Sequence, residues 1–462
     1  MSYETRVIED DELAFYADRG EEHFYDRKSA SIKPSKLSQS FSSFANADGG
    51  ELFVGLEDDG TFAGYETIEA ANPVLQVAAE TMSQSYYRVD FVQNNKQTGY
   101  GLLFTIERHP MLVRSAAEET YQRHGAHNKH LVGEDLEVLK RSKGEVRYEL
   151  TATNAATTEL ENSTTMISFM INGKAFAEPK DFLYKQLLVQ DGKSTIAGTL
   201  LFSDLPQAHL PNSAVKVYRY KTSGLEHRDH LAGHPETIEG PLTTLIEDTK
   251  RVVTQIVSEI PRLQDEGFDA ISYPTTTLHE ILTNALLHRD YGISDYVHVR
   301  IFDNRIEIDS PGRLHGHVTV ENILNERSAR NPQIQRVINK FPDAPNQDIG
   351  EGLNSAFEAM ETLLLKHPVI EELSDRVRVT ISHEALASPQ KAILEAAIKS
   401  GSISNSEAQA ITKIQQERSI RRYFEELVNS SQLERRGSGR GTRYYPTEEA
   451  RTRAEEPPEV AS

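Results

Sequence analysis

Hydrophobic and polar positions along this chain follow two periods, and the switches between them divide it. After a polar lead-in with a short helix (1–19), residues 21–30 set His23, Tyr25 and Arg27 against Phe24, Asp26 and Lys28, which predicts a short two-faced strand. Residues 34–47 take helical spacing, with Leu37, Phe41, Phe44 and Ala45 on one side. Asn46-Ala47-Asp48-Gly49-Gly50 stops that helix, because two glycines permit positive φ at its end. Residues 51–56 read as a buried strand and Asp58-Asp59-Gly60 as a hairpin turn. A helix over 70–82 and strands over 87–92 and 100–106 follow. TYQRHGAHNKHL (120–131) then reads as a solvated basic loop, with His124, His127 and His130 three apart.

From 144 to 190 the chain is rich in Thr, Asn and Glu. Residues 151–165 show no period and read as an exposed connection or irregular strands. Helices are expected at 182–189, 194–202 and 242–259, and a strand at 214–220, with no evident chemistry. Pro274 then precedes a helix whose apolar side is Leu278, Ile281, Leu282, Ala285 and Leu286. Glu280, Asn284 and His288 project together from another face. Alternating strands at 296–302 and 305–309 lead into the turn Ser310-Pro311-Gly312. Helices are predicted at 333–340 and at 353–365, the second just after Gly350-Glu351-Gly352, with a strand at 377–381. A last unit reads as helices at 390–399, 405–413 and 417–429 and a hairpin turning at 437–441.

Length changes the picture first: 462 residues imply two to four domains. No stretch approaches ~18 apolar residues, so no membrane span is expected, and the acidic start lacks a signal peptide's apolar core. Without cysteine there is no disulfide and no thiolate metal site, which fits a cytoplasmic protein. The net charge of −20 argues against a surface coated in nucleic acid and confines such contacts to local basic patches. One patch runs from Gln416 to Tyr445, where seven Arg outweigh four Glu.

The first 143 residues resemble the Schlafen/AlbA-type DNA-binding domain. The resemblance rests on the strand with Glu21, Glu22, Asp26 and Lys28, on FANADGG (44–50), on ELFVGLEDDG (51–60) and on Gly64. It implies nucleic-acid binding, with Lys28, Arg114, Arg123 and Lys129 as candidate phosphate contacts. It also raises a nuclease, in which Glu21, Asp26 and Asp58 would hold Mg²⁺ or Mn²⁺ and lower the pKa of an attacking water. Two alternatives stay open: Asp58-Asp59-Gly60 serves equally well as a turn, and Lys28 serves as a salt-bridge partner of Asp26.

HEILTNALLHRDY, IEIDSPGRL, SARNP and DIGEGL, in that order between 274 and 368, resemble a GHKL-type ATPase domain in its RecG C-terminal form. The resemblance implies ATP with Mg²⁺. Asn284 would hold the cation and Glu280 would orient or deprotonate a water. Asp309 would accept from the adenine amino group beside Gly312. Gly350 and Gly352 would bring backbone N–H groups to phosphates, with Arg330 and Asn331 as further contacts. The usual acidic-x-Gly-x-Gly run is here Asp309-Ser310-Pro311-Gly312-Arg313, which supports binding better than hydrolysis.

Three helices and a hairpin at the C-terminal end match a winged helix–turn–helix. Arg418, Arg421, Arg422, Arg435, Arg436, Arg440 and Arg443 are its candidate phosphate contacts. The expected architecture is an α+β multidomain chain: a Schlafen/AlbA-type α/β domain (1–143), a connector (144–260), a GHKL-like α/β sandwich (261–384), a winged helix (385–447) and a disordered tail (448–462). The expected function is an ATP-binding regulator that engages DNA or RNA, in transcription or antiviral defence, and self-assembles as a homo-oligomer. The rival expectations are a metal-dependent nuclease and a nucleotide-free oligomeric scaffold.

Overall fold

The computed structural model describes residues 5–172, 178–264, 267–270, 273–345, 352–362, 365–382, 389–412, 417–437, 442–448 and 450–451. They form a mixed α/β, multidomain architecture.

The N-terminal unit runs β1 (Thr5–Ile8), α1 (Asp10–Asp18), β2 (Tyr25–Lys28), α2 (Pro34–Asn46), β3 (Gly50–Val54), α3 (Asn72–Thr81), β4 (Tyr87–Asn94), β5 (Gly101–Ile106), β6 (Tyr121–His124), β7 (His127–His130) and α4 (Gly133–Ser142). Five strands pair in the order β1-β4-β5-β3-β2. Strand alternation sends Leu52 and Val54 under α2 and α3, and Phe53 to the opposite face under α1, so one sheet serves two cores. The predicted basic loop at 120–131 is instead the β6–β7 hairpin, turning at Gly125 with φ +56°. It forms because α2 offers it a buried polar face. Asn46 donates to the Val113 and Tyr121 carbonyls at 2.7 and 2.9 Å, and Ser43 donates to Asn128 at 2.6 Å. Gly49 (φ +78°) ends α2 where a Cβ would lie 2.4 Å from the Ile106 carbonyl oxygen.

The middle stretch comprises β8 (Ala152–Ala156), α5 (Thr157–Glu161), α6 (Thr164–Asn172), α7 (Pro179–Lys185), β9 (Val189–Gln190), β10 (Lys193–Thr195) and α8 (Ile196–Phe202). Its start, expected to be an exposed connection or irregular strands, is a strand followed by a helix, and its small sheet is ordered β8-β10-β9. Side chains supplied from afar stabilise helix starts. Asp204 accepts from the Thr164 and Thr165 N–H groups, and buried Glu149 accepts from Gln333 and Ile334 at 2.9 Å each.

The large central unit comprises β11 (Val215–Arg219), β12 (Glu236–Ile238), α9 (Leu242–Ser258), β13 (Pro261–Gln264), β14 (Gly267–Ala270), α10 (Thr275–Leu287), β15 (Val297–Ile301), β16 (Arg305–Pro311), α11 (Pro332–Ile338), α12 (Gly352–Thr362), β17 (Val369–Glu372) and β18 (Arg376–Ser382). Six strands pair in the order β12-β11-β15-β16-β18-β17. Two of them come from the stretch read as a connector, because β11 pairs in parallel with β15. A single buried core runs from Ala155 to Ile381, and Phe169, Phe202 and Phe341 pack together across the seam with ring centroids 4.7–5.4 Å apart. The apolar face of the sheet (Val297, Val299, Ile306, Ile308) lies in that core with α9 and α10. The other face carries ion pairs.

The C-terminal unit has α13 (Pro389–Ser400), α14 (Asn405–Thr412), α15 (Glu417–Asn429), β19 (Leu433–Arg436) and β20 (Arg443–Pro446). Its own core contains Ile393, Ile403, Ile420, Phe424 and Leu433, with Phe424 stacked on Tyr444 at 3.7 Å. No described helix is long and apolar enough to cross a membrane.

Candidate functional site: the cavity between α10 and β16

Helix α10 buries Leu278, Ile281, Leu282 and Leu286 against the sheet, which leaves Glu280, Asn284 and His288 half-buried on its free side. All three line a cavity of about 340 Å³ whose other walls are Ile308, Ser310, the segment Gly312–His315, Arg327–Ala329 and the start of α12. Asn284 donates its amide N–H to Glu280 Oε1 at 2.9 Å, which turns Asn284 Oδ1 away as a free acceptor. Gly352 abuts the same carboxylate: a Cβ there would sit 2.0 Å from Glu280 Oε1. A larger residue there would force the Glu280 carboxylate to move aside. His315 accepts from or donates to Ser328 Oγ at 2.7 Å. Burial, together with the charges of Arg330 and His288, pushes its pKa down to about 4.

Three residues expected at this site lie elsewhere. Asp309 faces the polar side of the sheet. Ile306, Ile308 and Ser310 share one parity on β16, and Asp309 has the other. Its carboxylate accepts from Arg378, directly opposite on β18, at 2.7 and 2.8 Å, and from Arg300 at 2.7 Å. Burial would raise its pKa, but these guanidinium groups outweigh that and hold it low. Asn331 caps the end of α10, donating to the Leu287 and Arg289 carbonyls. Arg330 is buried beside Asp290 and donates to the Arg313 carbonyl at 2.5 Å. Gly312 does line the cavity, with φ +101° and only 2.8 Å between a notional Cβ and Asp290 Cβ. Gly350 lies outside the described residues.

The N-terminal carboxylates assemble differently. Asp26 is fully buried, 3.2 Å from Arg123 Nη1 and 2.6 Å from Lys28 Nζ, and Lys28 also reaches Glu21 at 3.0 Å. Burial and a hydrogen bond to Glu21 raise the Asp26 pKa, and Lys28 and Arg123 pull against that rise. Asp58 does not join them. It is exposed on the Arg27 side of β2, where its backbone carbonyl accepts from Arg27 at 2.6 Å. Among the described residues no three His, Cys, Asp or Glu side chains gather as metal ligands. The expected nuclease triad is therefore not brought together: two members are tied up with cations and the third lies on another face. Arg123, expected at a phosphate, is buried. It donates to the Glu22 and Tyr25 carbonyls and lies over the Phe44 ring at 4.9 Å. Lys129 and Arg114 are partly exposed and pair with Asp135 and Glu145.

Residues 294–381 match the family model described as "Putative ATP-dependent DNA helicase recG C-terminal", and residues 21–132 match "Schlafen, AlbA_2". The chain carries a Schlafen AlbA_2 domain and a RecG C-terminal-like domain. The RecG-like match begins after α10, so Glu280 and Asn284 lie outside the matched stretch while most of the cavity's other walls fall within it. No curated protein matches the chain. Among solved structures, the crystal structure of the DIP2311 protein from Corynebacterium diphtheriae is similar at 15% identity, covering 92% of this chain and 95% of its own, with a TM-score of 0.39.

The RecG-like and AlbA_2 domains meet at the cavity wall. Arg313 Nη2 binds Asp48 of the AlbA_2 domain, and Arg313 also pairs with Glu372 at 3.0 Å. Arg108 of the AlbA_2 domain pairs with Glu372 at 2.7 Å and donates to the Leu314 carbonyl at 3.0 Å. Lys143 is buried here, donating to the Ala45 and His109 carbonyls, and burial beside Arg108 and Arg313 brings its pKa down to about 7. Arg313, His315, Arg327 and Ser328 were not selected from sequence as site residues. Arg313 had a usable signal, since it stands where the family pattern has its second glycine.

In the C-terminal unit Arg418 and Arg435 are exposed. Arg421 pairs with Glu417, Arg422 with Glu426, Arg436 with Glu434 and Arg443 with Glu407. Arg440 lies outside the described residues.

Proposed function

We propose that the α10–β16 cavity binds ATP with Mg²⁺, and that its occupancy governs how the AlbA_2 domain and the C-terminal unit, acting as a winged helix, engage nucleic acid. The observation that carries this reading is the meeting of Glu280, Asn284 and Gly352 at one end of a cavity whose other wall is bonded to the AlbA_2 domain.

The residues present suit the cofactor. Asn284 Oδ1 is a hard oxygen donor left free by the Glu280 bond, and Mg²⁺ is commonly held by one or two protein oxygens plus phosphates and water. When bound, the ion would neutralise triphosphate charge. Glu280 keeps Oε2 available to orient a water, and its bond to Asn284 fixes the carboxylate plane. Backbone N–H groups at the start of α12 favour an anion. The base contact assigned to Asp309 passes to the cavity face of β16, where Ser310 donates to the Ala285 carbonyl at 2.7 Å and keeps its lone pairs for an amino group.

Calorimetry of the full chain with ATP and Mg²⁺ tests the reading. Binding should be measurable and weaken at least about tenfold in Asn284→Ala. Absence of heat with the unmodified chain would remove the ATP claim.

A further inference from the structure

We infer that Arg313 is a ligand-binding residue of the nucleotide pocket, for the anionic part of a nucleoside polyphosphate, and that Asp48 of the AlbA_2 domain competes with the ligand for it. This rests on the nucleotide reading above and adds to it the route by which the two domains sense each other.

Arg313 is the arginine common to two cavities. It lines the 340 Å³ pocket and also a cleft of about 870 Å³ between the AlbA_2 and RecG-like domains. Its backbone follows Gly312 in the pocket wall, and its guanidinium is turned outward onto Asp48 and Glu372. Those two carboxylates must also satisfy Arg108, which binds Glu372 at 2.7 Å, and His23, which binds Asp48 at 2.8 Å. Neither partner therefore belongs to Arg313 alone. The side chain keeps about a fifth of its surface exposed, so it is not packed into one rotamer as Arg123 is.

An arginine recognises phosphate through the same bidentate geometry it uses for carboxylate, so the two compete directly for one planar fork. The same wall makes two further hydrogen bonds to the N-terminal unit: the Leu314 carbonyl accepts from Arg108, and the Gly316 N–H donates to the Ser142 carbonyl at 3.2 Å. Drawing Arg313 into the pocket removes the wall's bond to Asp48, just past the end of α2. By reciprocity, an AlbA_2 domain held at Asp48 weakens the nucleotide by the same factor.

The test is a double-mutant cycle on the full chain, read by calorimetry with ATP and Mg²⁺ and by hydrogen exchange of peptides spanning 44–50. Asp48→Asn should tighten ATP about fivefold or more, the lower range of an allosteric coupling. In an Arg313→Met background the same change should alter affinity less than about twofold, because the shared group is gone. ATP should raise exchange at 44–50 in the unmodified chain and not in Arg313→Met. Equal tightening by Asp48→Asn in both backgrounds would mean long-range charge alone, and would overturn the role of Arg313 while leaving ATP binding intact. An unchanged affinity in Asp48→Asn would overturn the competition. No binding by any of the four proteins would overturn both readings.

Discussion

Two acidic clusters in this chain start from similar sequence and end in opposite states. Around Asp26, a lysine and an arginine pair with a fully buried carboxylate, so that its charge has partners on both sides. Around Glu280, a carboxylate and an amide are bonded to each other, yet both still face an open cavity. Residue type does not separate them: each is an acid spaced along one face of a regular element. The separating factor is the supply of neighbours. The β6–β7 hairpin delivers Arg123 onto Asp26, whereas the neighbour facing Glu280 is Gly352, which has no side chain to fill the space. A closed cluster spends its chemistry on the fold, and an open one keeps it for a ligand.

The contrast breaks most sharply in stability. Arg123→Ala should cost about 3–5 kcal/mol in denaturant unfolding of the AlbA_2 domain, because it strands a buried carboxylate. Glu280→Gln should stay within about 1 kcal/mol. Similar losses in both would mean that the cavity cluster is also structural.

Next in size is a pH effect in the cavity wall. The folded pKa of His315 is depressed to about 4 from the ordinary histidine value of 6.5, so its contribution is complete above 6.5 and is lost as pH falls through about 4. The groups facing it are Arg330, His288, His317 and Asp290. Unfolding measured at pH 7 and 4.5 should show about 2 kcal/mol more acid sensitivity in the unmodified chain than in His315→Gln. Equal sensitivity would remove His315 as the source.

Gly352→Ala probes the open side directly. The added carbon collides with Glu280, and nucleotide affinity should fall about tenfold, or about 1.4 kcal/mol. Unchanged affinity would show that α12 shifts without consequence and that its start is not part of the site.

The smallest effect concerns the C-terminal arginines, most of which are already paired with glutamates. Arg418→Glu with Arg435→Glu should weaken DNA binding several-fold and lower the slope of log affinity against log salt by roughly 2. An unaltered slope would take this unit out of the nucleic-acid reading.

Much of the fold was legible because burial follows periodicity. The apolar stripe Leu278, Ile281, Leu282, Leu286 placed Glu280 and Asn284 on one free face, and they meet there. The same rule applied to β16 would have turned Asp309 away from the pocket, since Ile306 and Ile308 have the opposite parity. The family motif and the strand period disagree at this position, and the period holds. Other features had no local signal. The Asp26–Arg123 pair joins residues 97 positions apart. The β6–β7 hairpin is held by buried serines on α2 whose composition reads as solvent-facing. The stretch from 144 to 260 reads as a connector because most of its strands are short and the partner that ties it to the large sheet, β15, lies beyond residue 290.

That last point bears on how the molecule can be divided. The RecG-like match starts at 294, yet β15 at 297–301 already takes its hydrogen bonds from β11 at 215–219. A fragment begun at residue 261 would leave β15 as a naked edge with a row of unpaired amides beside Val297, Val299 and Ile301, and would expose the ring of Phe341 once covered by Phe169 and Phe202. Such an edge is a template for intermolecular strand addition. A piece that carries the pocket with its sheet and core intact should therefore begin near residue 148, well over twice the span that sequence similarity marks out.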